Sequence, residues 1–170
     1  MWQRRAVILA GCTFAAGMAN AKTGRSSYKG VYTGPEVTRV VVQKGQRRLY
    51  LMAGDDVLRT YRIDLGFAPV GHKSQEGDGK TPEGSYYIDR RNPNSSFHLS
   101  LGISYPNAQD VARAKALGVD PGGDIFVHGA RRRRDPKGRD WTWGCISVRD
   151  KEIDEIYAMV KNGTQIDLNP

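Results

Sequence analysis

Ile125-Phe126-Val127-His128-Gly129 and, after a polar loop, Asp140-Trp141-Thr142-Trp143-Gly144-Cys145-Ile146-Ser147-Val148 are two short runs that each carry one chemically active side chain. Each apolar core is too short for a helix and is bounded by glycine or polar residues, so both read as buried strands. A histidine that closes a hydrophobic strand can be held rigidly while its ring faces a cleft. A cysteine between Gly144 and Ile146 enters the second strand, and Gly144 lets the backbone turn closely beside a substrate carbonyl. Together they meet the two needs of nucleophilic catalysis. The imidazole lowers the thiol pKa, or takes its proton, and later protonates a leaving amine. The backbone N–H groups of Gly144 and Cys145 are candidates for an oxyanion hole. The competing reading of Cys145 is a buried cysteine that packs as a small hydrophobe. One histidine and one cysteine leave both readings open.

Outward from this centre the chain is mostly strand. Thr38–Gln43 is a β-branched run, followed by a Lys44-Gly45 turn, Arg48–Met52, a Gly54-Asp55-Asp56 turn, and an alternating segment Val57–Leu65. These spacings predict a β-meander. Gly84–Ile88, Phe97–Ile103 and Thr164–Leu168 are further strand candidates. Two segments look helical. Asp110 is placed to cap 111–117, with Gly118 as the stop. The segment 151–161 carries Ile153, Ile156, Tyr157 and Val160 at helical spacing, acids in its first turn, and Asn162-Gly163 after it. The expected fold class is therefore mostly β with one or two short helices, about 110–117 and 151–161.

The chain has 170 residues, 39% of them hydrophobic and 26% charged, with a net charge of +8. That is one domain's worth of globular protein. Collagen-like, low-complexity and polytopic membrane classes are excluded. Met1–Arg5 carries two arginines, an apolar run extends to about Met18, and Ala19-Asn20-Ala21 follows. This is the order of an export signal, so residues 1–21 are expected to be removed. An irregular lead-in would then span 22–36 and one domain would span 37–170. Leu9-Ala10-Gly11-Cys12 also resembles a lipobox, which would make the product a peripheral lipoprotein anchored at Cys12. After cleavage at Ala21, Cys145 is the one cysteine left, unpaired in an oxidising compartment.

The segment from Gly66 to Gly84 is rich in Gly, Pro, Lys, Asp and Glu. It reads as a long loop, either solvated or forming a wall of the site, and it contributes His72 as a cleft candidate. His72, His98, His128 and Cys145 are zinc-type ligands, but their spacing matches no compact motif, so no metal and no cofactor are expected. Arg131-Arg132-Arg133-Arg134 forms a basic run without any nucleic-acid motif. It reads as a solvated loop or as a capture patch for carboxylates, and no nucleic acid partner is expected. Trp141 is assigned to the core, and Trp143 to the core or to a wall of the site.

The order His128-Gly129 … Thr142-Trp143-Gly144-Cys145 resembles the L,D-transpeptidase catalytic domain, the YkuD family. So do Gly71-His72-Lys73 … Gly77-Asp78-Gly79-Lys80-Thr81-Pro82-Glu83-Gly84 and Ser104-Tyr105-Pro106-Asn107. The match covers roughly residues 37–169, and Asp-Trp-Thr-x-Gly-Cys-Ile points to one subgroup. The resemblance implies a compact sandwich-like or barrel-like β domain. It implies Cys145 as nucleophile, His128 as base, and Gly129 orienting the imidazole through its carbonyl. His72, Tyr105, Thr142, Trp143 and Ser147 become substrate-site candidates. Two departures bear on substrate positioning. Trp143 stands where many members have a second histidine, and Ser147-Val148 stands where many have arginine or asparagine.

The implied activity is acyl transfer on peptidoglycan stem peptides in the periplasm, through a Cys145 thioester. Hydrolysis of the same bonds, including release of a wall-anchored protein, is the alternative. A non-catalytic cell-wall-binding module is the second alternative. A nucleophilic Cys145 is expected to label fast near neutral pH and to lose that rate in His128→Ala.

Overall fold

The structure is a computed structural model and describes residues 31–170. The expected export signal, Cys12 and most of the lead-in lie outside the described residues. The meander forms as the alternation predicts. β1 (Arg39–Gln43), β2 (Arg48–Ala53) and β3 (Asp56–Arg62) are antiparallel neighbours. Val40 and Val42 of β1 point inward, as do Leu49 and Leu51 of β2, while the residues between them face outward. This is the period-2 burial of a sheet with one wet face.

The sheet continues with β4 (Gly84–Ser95), β5 (His98–Ile103), β6 (Phe126–His128), β7 (Ile146–Ser147) and β8 (Gln165–Asn169). The strand order is β3-β2-β1-β8-β4-β5-β6-β7. β8 therefore inserts between β1 and β4, parallel to β1, and pairs Ile166 with Val40 and Leu168 with Val42. β4 serves both halves. Residues 84–87 pair with β8, and the rest pairs with β5 through two register shifts. The sheet is not closed. Isolated bridges, Asp64 with Ser147 and Gly66 with Thr142, tie the chain after β3 to the β7 region, but among the described residues no continuous ladder shuts a barrel.

Among the described residues two helices complete the structure. α2 (Asp150–Met159) lays Ile153, Ile156 and Met159 against β5 and β6. Burial of an isoleucine side chain contributes about 1.5–3 kcal/mol. This cover explains why β5 is buried almost continuously from Leu99 to Ile103 rather than in alternation. The helix stops at Met159, short of the expected 161, where Val160 turns extended. The Arg91 guanidinium donates to the Tyr157 and Val160 carbonyls and stacks on the Tyr157 ring.

α1 (Ala108–Leu117) ends at Gly118 in the left-handed region, as expected, but its cap is not Asp110. Asn107 is the N-cap. Its side-chain oxygen accepts from the Gln109 and Asp110 N–H groups at 2.9 and 3.0 Å. Asp110 is the reciprocal member of the capping box, accepting from the Asn107 N–H. Asn107→Ala is expected to destabilise the fold by about 1 kcal/mol, read as a lower urea midpoint at unchanged slope.

Between β3 and β4 the chain runs without regular structure toward β7. It is fixed by a residue that the sequence reading assigned only to a turn. Lys44, immediately after β1, is 2% exposed. Its ammonium donates to the carbonyls of Gly71 (2.7 Å) and Thr81 (2.8 Å) and to the Glu83 carboxylate (2.8 Å). All three ammonium donors are satisfied, so the buried charge acts as a staple on the loop.

Candidate active site

β6 and β7 are parallel neighbours, with His128 in register with Ser147. Side chains alternate along a strand. Cys145, immediately before β7, therefore shares a face with Ser147 and with His128. The two residues singled out in the sequence thus project from one face of adjacent strands.

His128 is 4% exposed. Its ring stacks on Phe97 (centroids 4.5 Å apart) and meets the edge of Trp141 at 5.8 Å. Its Nδ1 lies 2.8 Å from the Gly129 carbonyl, which also accepts the Ser147 hydroxyl at 3.0 Å. A carbonyl can only accept, so the hydrogen bond assigns the ring proton to Nδ1 and leaves Nε2 as a free base. Burial pushes His128 below its ordinary pKa, and the nearby Arg132 charge adds to that, against the Gly129 hydrogen bond. The imidazole is neutral at pH 7.

Cys145 is half-buried, and its thiol donates to the Asp124 carbonyl at 3.5 Å. Among the described residues no hydrogen bond joins Sγ to the imidazole. Burial pushes the thiol up to about 11. The Phe126 amide and the Lys73 ammonium pull the other way, and Asp124 reinforces burial. Of the two routes the sequence left open, the resting geometry favours a base that takes the proton over a preformed thiolate–imidazolium pair. The expectation of fast labelling near neutral pH is revised accordingly. Alkylation of Cys145 by iodoacetamide is expected to rise about tenfold per pH unit from 7 to 10 with no plateau, measured by intact mass against time.

The turn that presents the thiol is braced by Thr142, which is buried. Its hydroxyl donates to the Cys145 carbonyl at 2.6 Å and accepts the Gly144 N–H at 3.2 Å. The Gly144 N–H is thereby engaged, so this conformation does not offer it to an oxyanion. The Cys145 N–H has no acceptor among the described residues and remains the available donor. Asp140 holds the start of the same turn, bound to Arg47 at 2.7 Å and accepting the Leu65 N–H at 3.0 Å. The sequence reading missed this pair, because nothing local links positions 47 and 140.

A cleft of about 430 Å³ opens on the thiol, lined by Lys73, Glu76, Gly77, Asp124, Trp143 and Cys145 among others. Trp143 is a wall rather than core: it is 70% exposed and meets Phe67 edge-on at 5.1 Å. Trp141 is core, as expected. His72 does not line this cleft. It sits between the Glu83 backbone and the Asp110 carboxylate, which lies 3.1 Å from Nε2. Its neighbour Lys73 takes the place expected of it. Tyr105 is buried and acts from behind, its hydroxyl donating to the Pro121 carbonyl at 3.0 Å next to the Gly122–Asp124 wall. Ser147 does not line this cleft, and its hydroxyl is committed to the Gly129 carbonyl. His98 pairs with Asp154 at 2.7 Å, so the three histidines occupy separate settings.

The arginine run divides. Arg132 is structural, bound to Asp150 and to the Ser96 carbonyl, whereas Arg133 and Arg134 are exposed. Arg131 joins Arg62, Arg139 and Arg149 around a second cleft of about 500 Å³ beyond Ser147 and Trp141.

The sequence profile of the L,D-transpeptidase catalytic domain, YkuD, matches residues 37–168. The chain belongs to the YkuD family. YafK of Escherichia coli (strain K12), which carries the L,D-transpeptidase name provisionally, is 27% identical over 164 residues, 91% of this chain and 61% of YafK. Among solved structures, the helical cell shape determining protein Pgp2 from Campylobacter jejuni superposes with a TM-score of 0.62 at 24% identity, over 81% of this chain and 49% of that one. An L,D-transpeptidase from Mycobacterium smegmatis gives 0.53 at 15% identity, over 79% and 59%. These likenesses establish the YkuD fold. The chain spans about three fifths of YafK and half of Pgp2.

Proposed function

We propose that this YkuD domain is an exported cysteine acyltransferase acting on peptidoglycan stem peptides. The reading is carried by one observation: a half-buried thiol opens on a cleft from the same sheet face as a histidine whose tautomer is fixed with Nε2 as the free base. In the reaction, Nε2 takes the Sγ proton as sulfur attacks a peptide carbonyl. The oxyanion is met by the Cys145 amide. The imidazolium then protonates the departing amine, leaving a thioester. An acceptor amine attacks it, Nε2 takes the amine proton, and Cys145 returns as the thiol.

If water enters instead, the product is a carboxylate and the enzyme is a hydrolase. The exposure of Trp143 and of the cleft mouth favours this as the second reading. Export rests on the Arg4-Arg5, apolar and Ala19-Asn20-Ala21 order of the N-terminus, and a wall-anchored protein is a proposed acceptor or substrate. Mass spectrometry of defined tetrapeptide muropeptides and a protein-linked muropeptide, incubated with the protein beside Cys145→Ala, tests the proposal. Exchanged or cross-linked products that require Cys145 support transfer. Cysteine-dependent trimming alone supports hydrolysis. No product from any substrate sinks both.

A further inference from the structure

Three charged side chains line the Cys145 cleft, and they differ in setting. Glu76 is exposed. The Asp124 carboxylate is 87% exposed and paired with Arg90 at 3.0 Å. Lys73 is only 3% exposed. Solvent screens the two acids but screens the buried ammonium far less. The Lys73 ammonium donates to the Gln75 carbonyl and to Asp78 Oδ1, each at 2.9 Å. An ammonium has three donors, and the third has no acceptor among the described residues.

Asp78 does not simply cancel the charge. Its oxygens also accept the backbone N–H groups of Ser74, Gln75 and Lys80 at 2.8–3.2 Å. Those bonds stabilise its negative form independently of lysine. The cleft wall thus holds a buried ion pair whose ammonium keeps one unused donor beside Cys145.

We propose that Lys73 is a receptor for a substrate carboxylate next to the scissile bond. The substrate assignment rests on the peptidyl-transfer reading above; the electrostatic claim does not. An amino acid leaving group carries its carboxylate on the carbon next to the scissile nitrogen, within reach of such a receptor. A side-chain amine leaving group carries no carboxylate there. Lys73 therefore selects the chemical class of the leaving group.

The test compares alkylation of Cys145 by iodoacetate, an anion, with alkylation by neutral iodoacetamide at one pH. The ratio of the two rates removes any change in thiolate fraction. In the unaltered protein the ratio exceeds that of N-acetylcysteine. Lys73→Gln lowers it by about 3–10-fold, and Lys73→Arg retains it. The double variant Lys73→Gln/Asp78→Asn replaces the ion pair with a neutral hydrogen-bonded pair and lowers the ratio as well.

A native ratio at or below that of N-acetylcysteine overturns the proposal without any variant. So does an unchanged ratio in a folded Lys73→Gln protein. A loss in the single variant that recovers in the double would assign the effect to the stranded Asp78 charge and also overturn it. With peptide donors, amidation of the terminal carboxylate lowers kcat/KM at least about tenfold in the native protein and leaves Lys73→Gln unaffected. A penalty of the same size in Lys73→Gln counts against the receptor. Absence of all peptide turnover counts against the proposed function, while the alkylation ratio still decides the electrostatic claim.

Discussion

His128→Ala is expected to lower turnover of a peptide donor by about 10²–10⁴-fold while leaving the iodoacetamide alkylation rate of Cys145 within about twofold. The split follows from the resting charges. Burial holds the imidazole below its ordinary pKa and the thiol up to about 11. At pH 7 the pair is thiol plus neutral imidazole, so His128 contributes no charge that would keep a thiolate. Alkylation depends on the small thiolate fraction and does not need a base. In the proposed acyl transfer Nε2 acts twice, removing the Sγ proton and protonating the leaving amine. A preformed ion pair would behave differently: alkylation would level off in acid and collapse in the variant. Parallel falls in both rates would therefore overturn the neutral-pair assignment. The same shift sets a sign for stability. An unfolded histidine binds its proton near pH 6.5, and buried His128 binds it only at lower pH. The fold is favoured above pH 6.5 and loses that contribution as pH falls through the lower value.

The strands that carry His128 and Cys145 were legible because their pattern is local. Ile125–Val127 and Ile146–Val148 are short, apolar and bounded, which is enough to mark them as strands. The meander was legible for the same reason. What escaped depended on long-range geometry. Nothing in Thr164–Leu168 says that it inserts parallel beside β1, since parallel partners are chosen by the whole sheet. β4 runs on to Ser95 through Asn92-Pro93-Asn94, which local propensity breaks, because bulges absorb the irregular residues there. His72 was favoured over Lys73 by residue type alone. In an aperiodic loop, adjacent positions carry no signal of which one faces the cleft. The choice is made by the Lys44 staple and by the backbone cage around Asp78, neither of which leaves a spacing. Asp110 was taken for the cap in place of Asn107 for a related reason: a capping box contains two capping residues, and only backbone conformation says which comes first.

Gly144→Ala is the substitution expected to do most damage to the fold and to the thiol together. The residue sits at φ +123°, where an L side chain is strained, and a Cβ there would lie 2.6 Å from the Lys80 carbonyl oxygen and 3.1 Å from Ile125 Cδ1. The carbonyl cannot swing away cheaply, because the Lys80 N–H is held by Asp78 and Thr81 is held by Lys44. Gly66 is pressed into the same spot, its own Cβ position lying 3.0 Å from the Gly144 Cα and 2.0 Å from the Gly79 carbonyl oxygen. Three backbone segments meet here with no room for a methyl group. Backbone strain and the clash together are expected to cost about 2–4 kcal/mol, lowering Tm by roughly 10 °C. Any relief must move Cys145 or the loop that carries Lys73, so acyl transfer should fall more than the loss of folded protein explains. Gly163→Ala supplies the comparison. That residue also has positive φ, +85°, but a Cβ there would meet nothing within 4 Å. It isolates the conformational penalty, expected at about 1–2 kcal/mol. Calorimetry of the two variants side by side decides the point. Equal losses in Tm would mean that the close approach at Gly144 contributes nothing and that the glycine before Cys145 is there for its φ alone.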